Sequence, residues 1–508
     1  MFVRKVKNAS NGKTYVQVID KSTGRYKVIK SIGSCRSEDH KQLAKLAQQG
    51  RSWIQEYLGL QQLDFTNHKQ AIQSYLQGVE HLRLAGVELL LGGIFDQIGF
   101  DQITDPIFKK LVIYRLVYPV SKLKTTEYLR RYEQLQWNED KLYRYMDRLY
   151  NTQKQQVQRI SYQHSLQVLG GQLSVVFYDV TTIYFEIDNE DELRKTGFSK
   201  EGKHQHPQIV LGLLVSQYGY PLAYEIFQGN TFEAHTMLPV IESFKQTYQL
   251  DKLVIIADSG LLSNKTITKL EESDYEFILG ARLKNESKQL KERILGLDLS
   301  DGQAVVLDKD ALVNLVISYS DKRAKKDRYN RQRGYDKLEK KLKSGRLTKA
   351  HINNRGYNKY LRLQGQMSIT LDKEKFEADA KWDGLKGYIT NTSLSKEQVI
   401  ENYNHLWHIE KAFRVAKSEL RLRPVYHRLE RRIHAHICMA FVAYKVYKEL
   451  ERQLKLKNSA MSPTKAIEIA QSIFEIRITV PNSDQSVSKL LLLTQEQRHL
   501  AELFEFGC

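Results

Sequence analysis

Val175-Val176-Phe177-Tyr178-Asp179 is the stretch on which the reading of this chain turns. It is an apolar run of β-branched and aromatic residues closed by an acid, the pattern of a strand buried on both faces. Leu253-Val254-Ile255-Ile256-Ala257-Asp258 repeats it. Around these two, residues 209–215 and 219–227 read as further strands, 236 to about 247 as a helix, 264–272 as a helix and 275–279 as a fifth strand. Three consecutive strands, then helix, strand, helix and strand, define a mixed α/β sheet. If the strands ending in Asp179 and Asp258 are neighbours, their carboxylates emerge at one edge of that sheet.

The formal charge of +19 and the pI near 9.4 point to a polyanionic partner, most often nucleic acid. Residues 322–360 hold 15 Lys/Arg against three acids (Asp327, Asp336 and Glu339), a net +12 that supplies most of the total. Tyr329, Tyr335, Tyr357 and Tyr360 interleave with the bases, a composition suited to phosphate contact with some stacking. Lys325, Lys326, Arg328, Arg331 and Arg333 are its candidate DNA contacts; a merely solvated helix fits the sign imbalance less well. The three cysteines, Cys35, Cys438 and Cys508, are far apart and lack metal spacing, which suits a reducing compartment. The N-terminus turns polar at once, and the apolar stretch at 438–446 is short and contains Lys445, so a soluble intracellular protein is expected.

Composition and pattern divide the chain further. Residues 1–60 read as a small β-meander, turning at Asn11-Gly12 and Thr23-Gly24, plus a helix. Residues 61–165 read as helical, with Asp105-Pro106 starting one helix and Ser121 capping the next. Their basic residues suit either a helix-turn-helix-like DNA reader or a packed helical, dimerising unit with solvated faces. Residues 166–281 and 383–450 hold the sheet core, 282–382 a basic insertion, and 451–508 a helical tail.

The run Tyr403-Asn404-His405-Leu406-Trp407-His408-Ile409-Glu410 continues to Lys417. On one helix Tyr403, Glu410 and Lys417 share a face, an aromatic, an acid and a base where an apolar seam would be usual. Taken singly, Asp179 and Asp258 read more readily as turn caps. As a set with Glu410, they suit hard divalent cations, Mg²⁺ with Mn²⁺ as a substitute, for phosphoryl chemistry on a nucleic acid. Arg414, Arg421 and Arg423 add a basic surface beside them.

The order of these residues resembles the DDE transposases of bacterial insertion sequences, in the group typified by insertion sequence 4. The resemblance covers about residues 170–445. It rests on Phe177-Tyr178-Asp179-Val180-Thr181-Thr182, on Thr196-Gly197-Phe198-Ser199-Lys200-Glu201-Gly202-Lys203, and on Gly219-Tyr220-Pro221-Leu222. It continues through Gly229-Asn230-Thr231, Ile256-Ala257-Asp258-Ser259-Gly260, and Arg423-Pro424-Val425-Tyr426-His427. It implies a ribonuclease H-like fold with an insertion between the second aspartate and the glutamate, and Asp179, Asp258 and Glu410 as catalytic metal ligands. The family helix motif is Y-x2-R-x3-E-x6-K. Tyr403, Glu410 and Lys417 match it, Leu406 stands at the arginine, and Arg414 or His405 is available to replace that arginine. By resemblance, Tyr403 and Lys417 touch phosphates near the scissile bond. The implied activity is metal-dependent cleavage of element ends at terminal inverted repeats and strand transfer into target DNA, by a homodimer on paired ends in the nucleoid-associated bacterial cytoplasm. A ribonuclease H-like nuclease without strand transfer, or an inactive DNA-binding protein, are the alternatives.

Overall fold

The computed structural model describes residues 1–22, 24–57, 68–199, 202–261, 264–348, 351–353, 356–364, 368–480 and 485–507. Thr23 of the second meander turn, and Lys200 and Glu201 of the family motif, lie outside them. The chain forms two compact units, Met1–His81 with Ile476–Lys489, and Leu82–Glu475 with Leu490–Cys508.

In the first unit β1 (Phe2–Asn8), β2 (Lys13–Asp20) and β3 (Lys27–Arg36) make an antiparallel meander, followed by α1 (His40–Tyr57) and α2 (His68–Gln77). Gly12 takes a left-handed φ of +62° at the first turn, a conformation that costs glycine little. The helical reading from residue 61 breaks at β4 (Val79–Leu84), which shares a three-stranded sheet with residues 474–479 and 486–491.

In the second unit, helices α3 (Gly93–Ile98), α4 (Pro106–Val117), α5 (Lys122–Glu133), α6 (Glu139–Thr152) and α7 (Lys154–Val168) precede the main sheet. The Asp105 carboxylate accepts from the Ile107 amide at 2.9 Å with Pro106 in the first turn of α4, and Ser121 Oγ accepts from the Lys124 amide at 3.2 Å. Both caps are the ones the sequence predicts.

The main sheet contains β5 (Val175–Tyr184), β6 (Gln208–Ser216), β7 (Pro221–Gln228), β8 (Val254–Ala257) and β9 (Glu276–Gly280), with α8 (Met237–Tyr248) and α9 (Asn264–Glu272) between the later strands. After α10 (Lys288–Leu295) come β10 (Ala304–Asp308), β11 (Asn314–Tyr319), α11 (Asp321–Lys343), β12 (Leu361–Gln364), β13 (Ser368–Leu371), α12 (Lys373–Ala380) and β14 (Leu385–Thr390). The strand order is β10-β11-β14-β9-β8-β5-β6-β7. β5, β6 and β7 run antiparallel in succession, and β5, β8 and β9 run parallel. This is the ribonuclease H-like mixed α/β sheet that the resemblance implies.

Two expectations need correction here. Asp179 does not close its strand, because β5 continues to Tyr184 by pairing with β6 after β8 has ended. Residues 282–382 are not wholly an insertion: β10 and β11 extend the sheet through β14, so backbone pairing recruits them into the core.

The chain then runs through α13 (Lys396–Asn404), α14 (Trp407–Ser418), α15 (Glu430–Leu456), α16 (Pro463–Ala470), β15 (Phe474–Thr479), β16 (Ser486–Leu491) and α17 (Gln495–Phe504). The helical tail expected for 451–508 therefore contains two strands. Phe474, Ile476 and Ile478 alternate with Glu475, Arg477 and Thr479, a period of two that a helix cannot use. No helix among the described residues is long and apolar enough to cross a membrane.

The sheet is covered on both faces. Phe177, Ile256, Ile278 and Tyr388 point to the face that packs on Tyr403, Ile409, Phe413 and the apolar residues of α15. Val176, Tyr178, Ile255, Ala257, Phe277 and Ile389 point to the other, toward Met237 and Ile241 of α8. Ile433, Ile437, Phe441 and Tyr444 of α15 are core, as expected, and its buried Lys445 donates to Ser161 O at 3.0 Å and Ser165 Oγ at 2.6 Å. That pairing meets the cost of burying an ammonium.

Where α4, α5 and α15 meet, Arg115 donates to the Arg421 carbonyl at 2.7 Å and lies 3.1 Å from His436 Nε2. Lys122 is buried there too. Burial, then the Arg115 charge, pushes Lys122 down to about 7, and burial with Lys122 and Arg115 pushes His427 down to about 3.

Candidate active site

The parallel ladder of β5 and β8 pairs Tyr178 with Ala257. Each is followed by an aspartate, so Asp179 and Asp258 stand level on neighbouring chains, whose axes are about 4.8 Å apart. Side chains alternate across a strand, and Tyr178 and Ala257 face α8. The acids that follow them are therefore turned to the opposite face, toward α13 and α14. The sequence places two acids after two buried runs; the ladder makes them neighbours.

Tyr403, the penultimate residue of α13, reaches this edge. Its hydroxyl donates to Asp258 Oδ1 at 3.0 Å. The ring lies edge-on to Tyr388, with centroids 4.9 Å apart, and the Lys386 ammonium sits 4.5 Å from its centroid. Gly280 makes room, because a Cβ there would collide with the Tyr403 hydroxyl. Burial, then the Asp258 charge, raises the Tyr403 phenol far above its ordinary value, so it stays a proton donor at any physiological pH.

Glu410 lies on the same edge, but the single helix expected from the seven-residue spacing is two: Tyr403 is on α13 and Glu410 on α14. The chain breaks at His405-Leu406, where Leu406 N bonds Tyr403 O and His408 N bonds His405 O, tightened i→i+3 turns that separate α13 from α14. Tyr403 and Glu410 nonetheless line one cleft of about 350 Å³ with Asp258, Arg323, Lys386 and the exposed Trp407. Burial, then Arg323, pulls Lys386 below its ordinary value, opposed by Asp258 and Glu410.

Among the described residues no group of three His, Cys, Asp or Glu side chains is gathered closely enough to hold a metal ion. Asp258 and Glu410 share the cleft, while Asp179 accepts from the Val180 amide at 2.7 Å one strand away. The donors themselves are all carboxylates, the ligands a hard divalent cation takes, and the Tyr403 hydrogen bond occupies only one oxygen of Asp258. The donor chemistry fits such an ion.

Of the remaining candidates, Arg414 and Arg421 are exposed, and Lys417 and Arg423 are half-buried. Lys325, Lys326, Arg328 and Arg333 are exposed on α11. Arg331 differs, being mostly buried in an ion pair with Asp383. Leu406, at the family arginine position, is buried in the core. Two cations of the cleft escaped the sequence reading. Arg323 was one of fifteen bases in its stretch. Lys386 has a usable signal: it precedes Tyr388 and Thr390 at a period of two, a charge on the core-facing parity of a strand.

A transposase DDE domain model matches residues 170–445, more than half of the chain. The chain belongs to that family, and its function is that of a transposase. Structural similarity extends to a piggyBac transposase synaptic complex with hairpin DNA, with 8% identity over 79% of each chain and a TM-score of 0.38. It also extends to a Mos1 transposase paired-end complex with left transposon end, with 12% identity over 31% of this chain and 53% of that one and a TM-score of 0.16. No curated protein sequence matches.

Proposed function

We propose that this transposase, of the insertion sequence 4-like group, cuts the ends of an insertion element and joins the freed 3′-hydroxyls to target DNA. The observation that carries this reading is the pairing of Tyr178 with Ala257, which sets Asp179 and Asp258 side by side, with Glu410 in the Asp258 cleft. Asp179, Asp258 and Glu410 would hold Mg²⁺, with Mn²⁺ as a substitute. The bound ions would lower the pKa of the attacking water or hydroxyl and stabilise the leaving oxygen. The protein's own groups do the rest. Tyr403 fixes the rotamer of Asp258 through its hydroxyl. Trp407 offers an exposed indole beside the carboxylates, a surface on which an unpaired base can stack. Arg414 and Lys417 on the Glu410 helix, with Arg421 and Arg423 just beyond it, would meet backbone phosphates, positioning the strand without reading sequence. The two element ends are handled together, by a homodimer.

Cleavage and joining on DNA that carries the element ends, with Mg²⁺ or Mn²⁺ present or chelated, tests this. Asp179→Ala, Asp258→Ala and Glu410→Ala should each abolish both steps while DNA binding persists. Undiminished cleavage in any one of them removes that residue from the metal site. Cleavage without joining in the parent protein would leave a nuclease in place of the full reaction.

A further inference from the structure

We infer that Arg323, from the basic helix α11, and Lys386, from β14, form a phosphate clamp that faces the carboxylates across the cleft and grips the oxygens of the DNA strand being cut. This rests on the DNA-cleaving reading of the same cleft. Arg323 and Lys386 line the cleft with Asp258 and Glu410. Among the described residues Arg323 pairs with Asp327, one turn along its own helix, at 3.5 Å, a weak pairing between solvated side chains. Lys386 is held by the faces of Tyr403 and Tyr388, at 4.5 and 5.1 Å, which fix its ammonium without neutralising it.

The cleft does not end there. Arg323 and Lys386 also line a second hollow of about 580 Å³ that runs on toward α12 and α11. Two of its acids are engaged by other groups: Asp379 with Lys284 at 2.7 Å, Lys359 and Tyr360, and Asp383 with Arg331; the third, Asp327, accepts from the Gly384 amide at 3.3 Å beside its loose contact with Arg323. Arg323 and Lys386 line both hollows, so they stand at the junction where an anion passing from one to the other would meet them. A phosphodiester lying along the trough would have carboxylates on one side and a guanidinium and an ammonium on the other. That arrangement gives α11 a task in the chemical centre as well as on its exposed face. It also gives the cleft an arginine from a different element, whereas the turn before the Glu410 helix carries Leu406.

The test uses the full chain and an end-labelled DNA duplex carrying the element end. Binding is followed against salt, alongside Mg²⁺-dependent cleavage. Arg323→Gln and Lys386→Met should each flatten the log–log salt slope by about 0.9, the loss of one phosphate contact, and slow single-turnover cleavage by about 10–100-fold, with unchanged thermal melting. Arg323→Lys should restore the slope but only part of the rate, since a single ammonium cannot bridge two oxygens. Wild-type slopes in both variants, with cleavage still abolished by Glu410→Gln, overturn the clamp and leave the proposed function standing. A parent chain that binds no DNA overturns both.

Discussion

Tyr403 and Gly280 form a coupled pair at the scale of single residues. The phenol supplies one hydrogen bond to Asp258, and the missing Cβ of Gly280 is what lets the phenol arrive. Groups that orient a metal ligand typically contribute about 10–100-fold in metal affinity. Tyr403→Phe should therefore weaken Mn²⁺ binding by about that factor, read by titration calorimetry, while the melting temperature barely moves. Gly280→Ala should produce the same defect with the phenol still present, because its methyl drives the ring away from Asp258. The double variant should be no worse than either single one. Additive losses would show that Gly280 acts on something other than Tyr403. The acids were legible from sequence because each ends or interrupts an apolar run. Tyr403 was legible only as part of a polar stripe, and its partner was not, since nothing in its spacing to Asp258 encodes contact.

At the scale of the element, α11 separates into residues with different work. Lys325, Lys326, Arg328 and Arg333 are exposed, whereas Arg331 is spent on Asp383 in a mostly buried pair. Exchanging the four exposed bases for Gln should lower the salt slope of DNA binding by up to about 0.9 for each phosphate they meet, with stability unchanged. Arg331→Gln should instead destabilise the fold by about 3 kcal/mol, because it strands the Asp383 carboxylate without its partner. Chemical denaturation checks this, and a wild-type midpoint would return Arg331 to the DNA-facing set. Charge counting marked the whole stretch as basic and could not tell these residues apart, because pairing depends on Asp383, which lies beyond the helix in the strand-entry turn. The Tyr403–Lys417 stripe teaches the same lesson: periodicity found the right residues, while the tight turn at His405-Leu406 decided that two helices present them.

At the scale of the whole molecule, the buried bases Arg115, Lys122 and His436, with the half-buried His427, join the early helices to the chain that leaves the Glu410 helix. Lys122 is held to about 7 in the fold and returns to 10.5 on unfolding. Between those values the unfolded chain carries the extra proton, so stability rises with pH across that window, and the penalty is complete below it. His427, pushed from 6.5 to about 3, acts in the same direction lower down, so stability is lost as pH falls below about 6.5. The melting temperature should thus climb from mildly acid to alkaline pH. Lys122→Met should flatten the climb above pH 7 and leave the acid limb in place. An unaltered alkaline limb in that variant would mean that Lys122 keeps its charge inside the fold.

The sequence by itself determined the α/β class, the caps of α4 and α5, the strand that carries Asp179 and the one that Asp258 follows, and the family to which the chain belongs. These follow from local periodicity, capping chemistry and motif order, all of which are written in neighbouring residues. Tertiary structure alone decided that β5 and β8 lie side by side with Tyr178 opposite Ala257, and that β10 and β11 complete the sheet. It alone brought Arg323 and Lys386 to the cleft and paired β4 with β15. Each of these is a contact between segments tens to hundreds of residues apart, settled by which backbone groups find partners and which side chains can share a buried face. A one-residue slip of β8 against β5 would turn Asp258 to the wrong side of the sheet, away from Asp179.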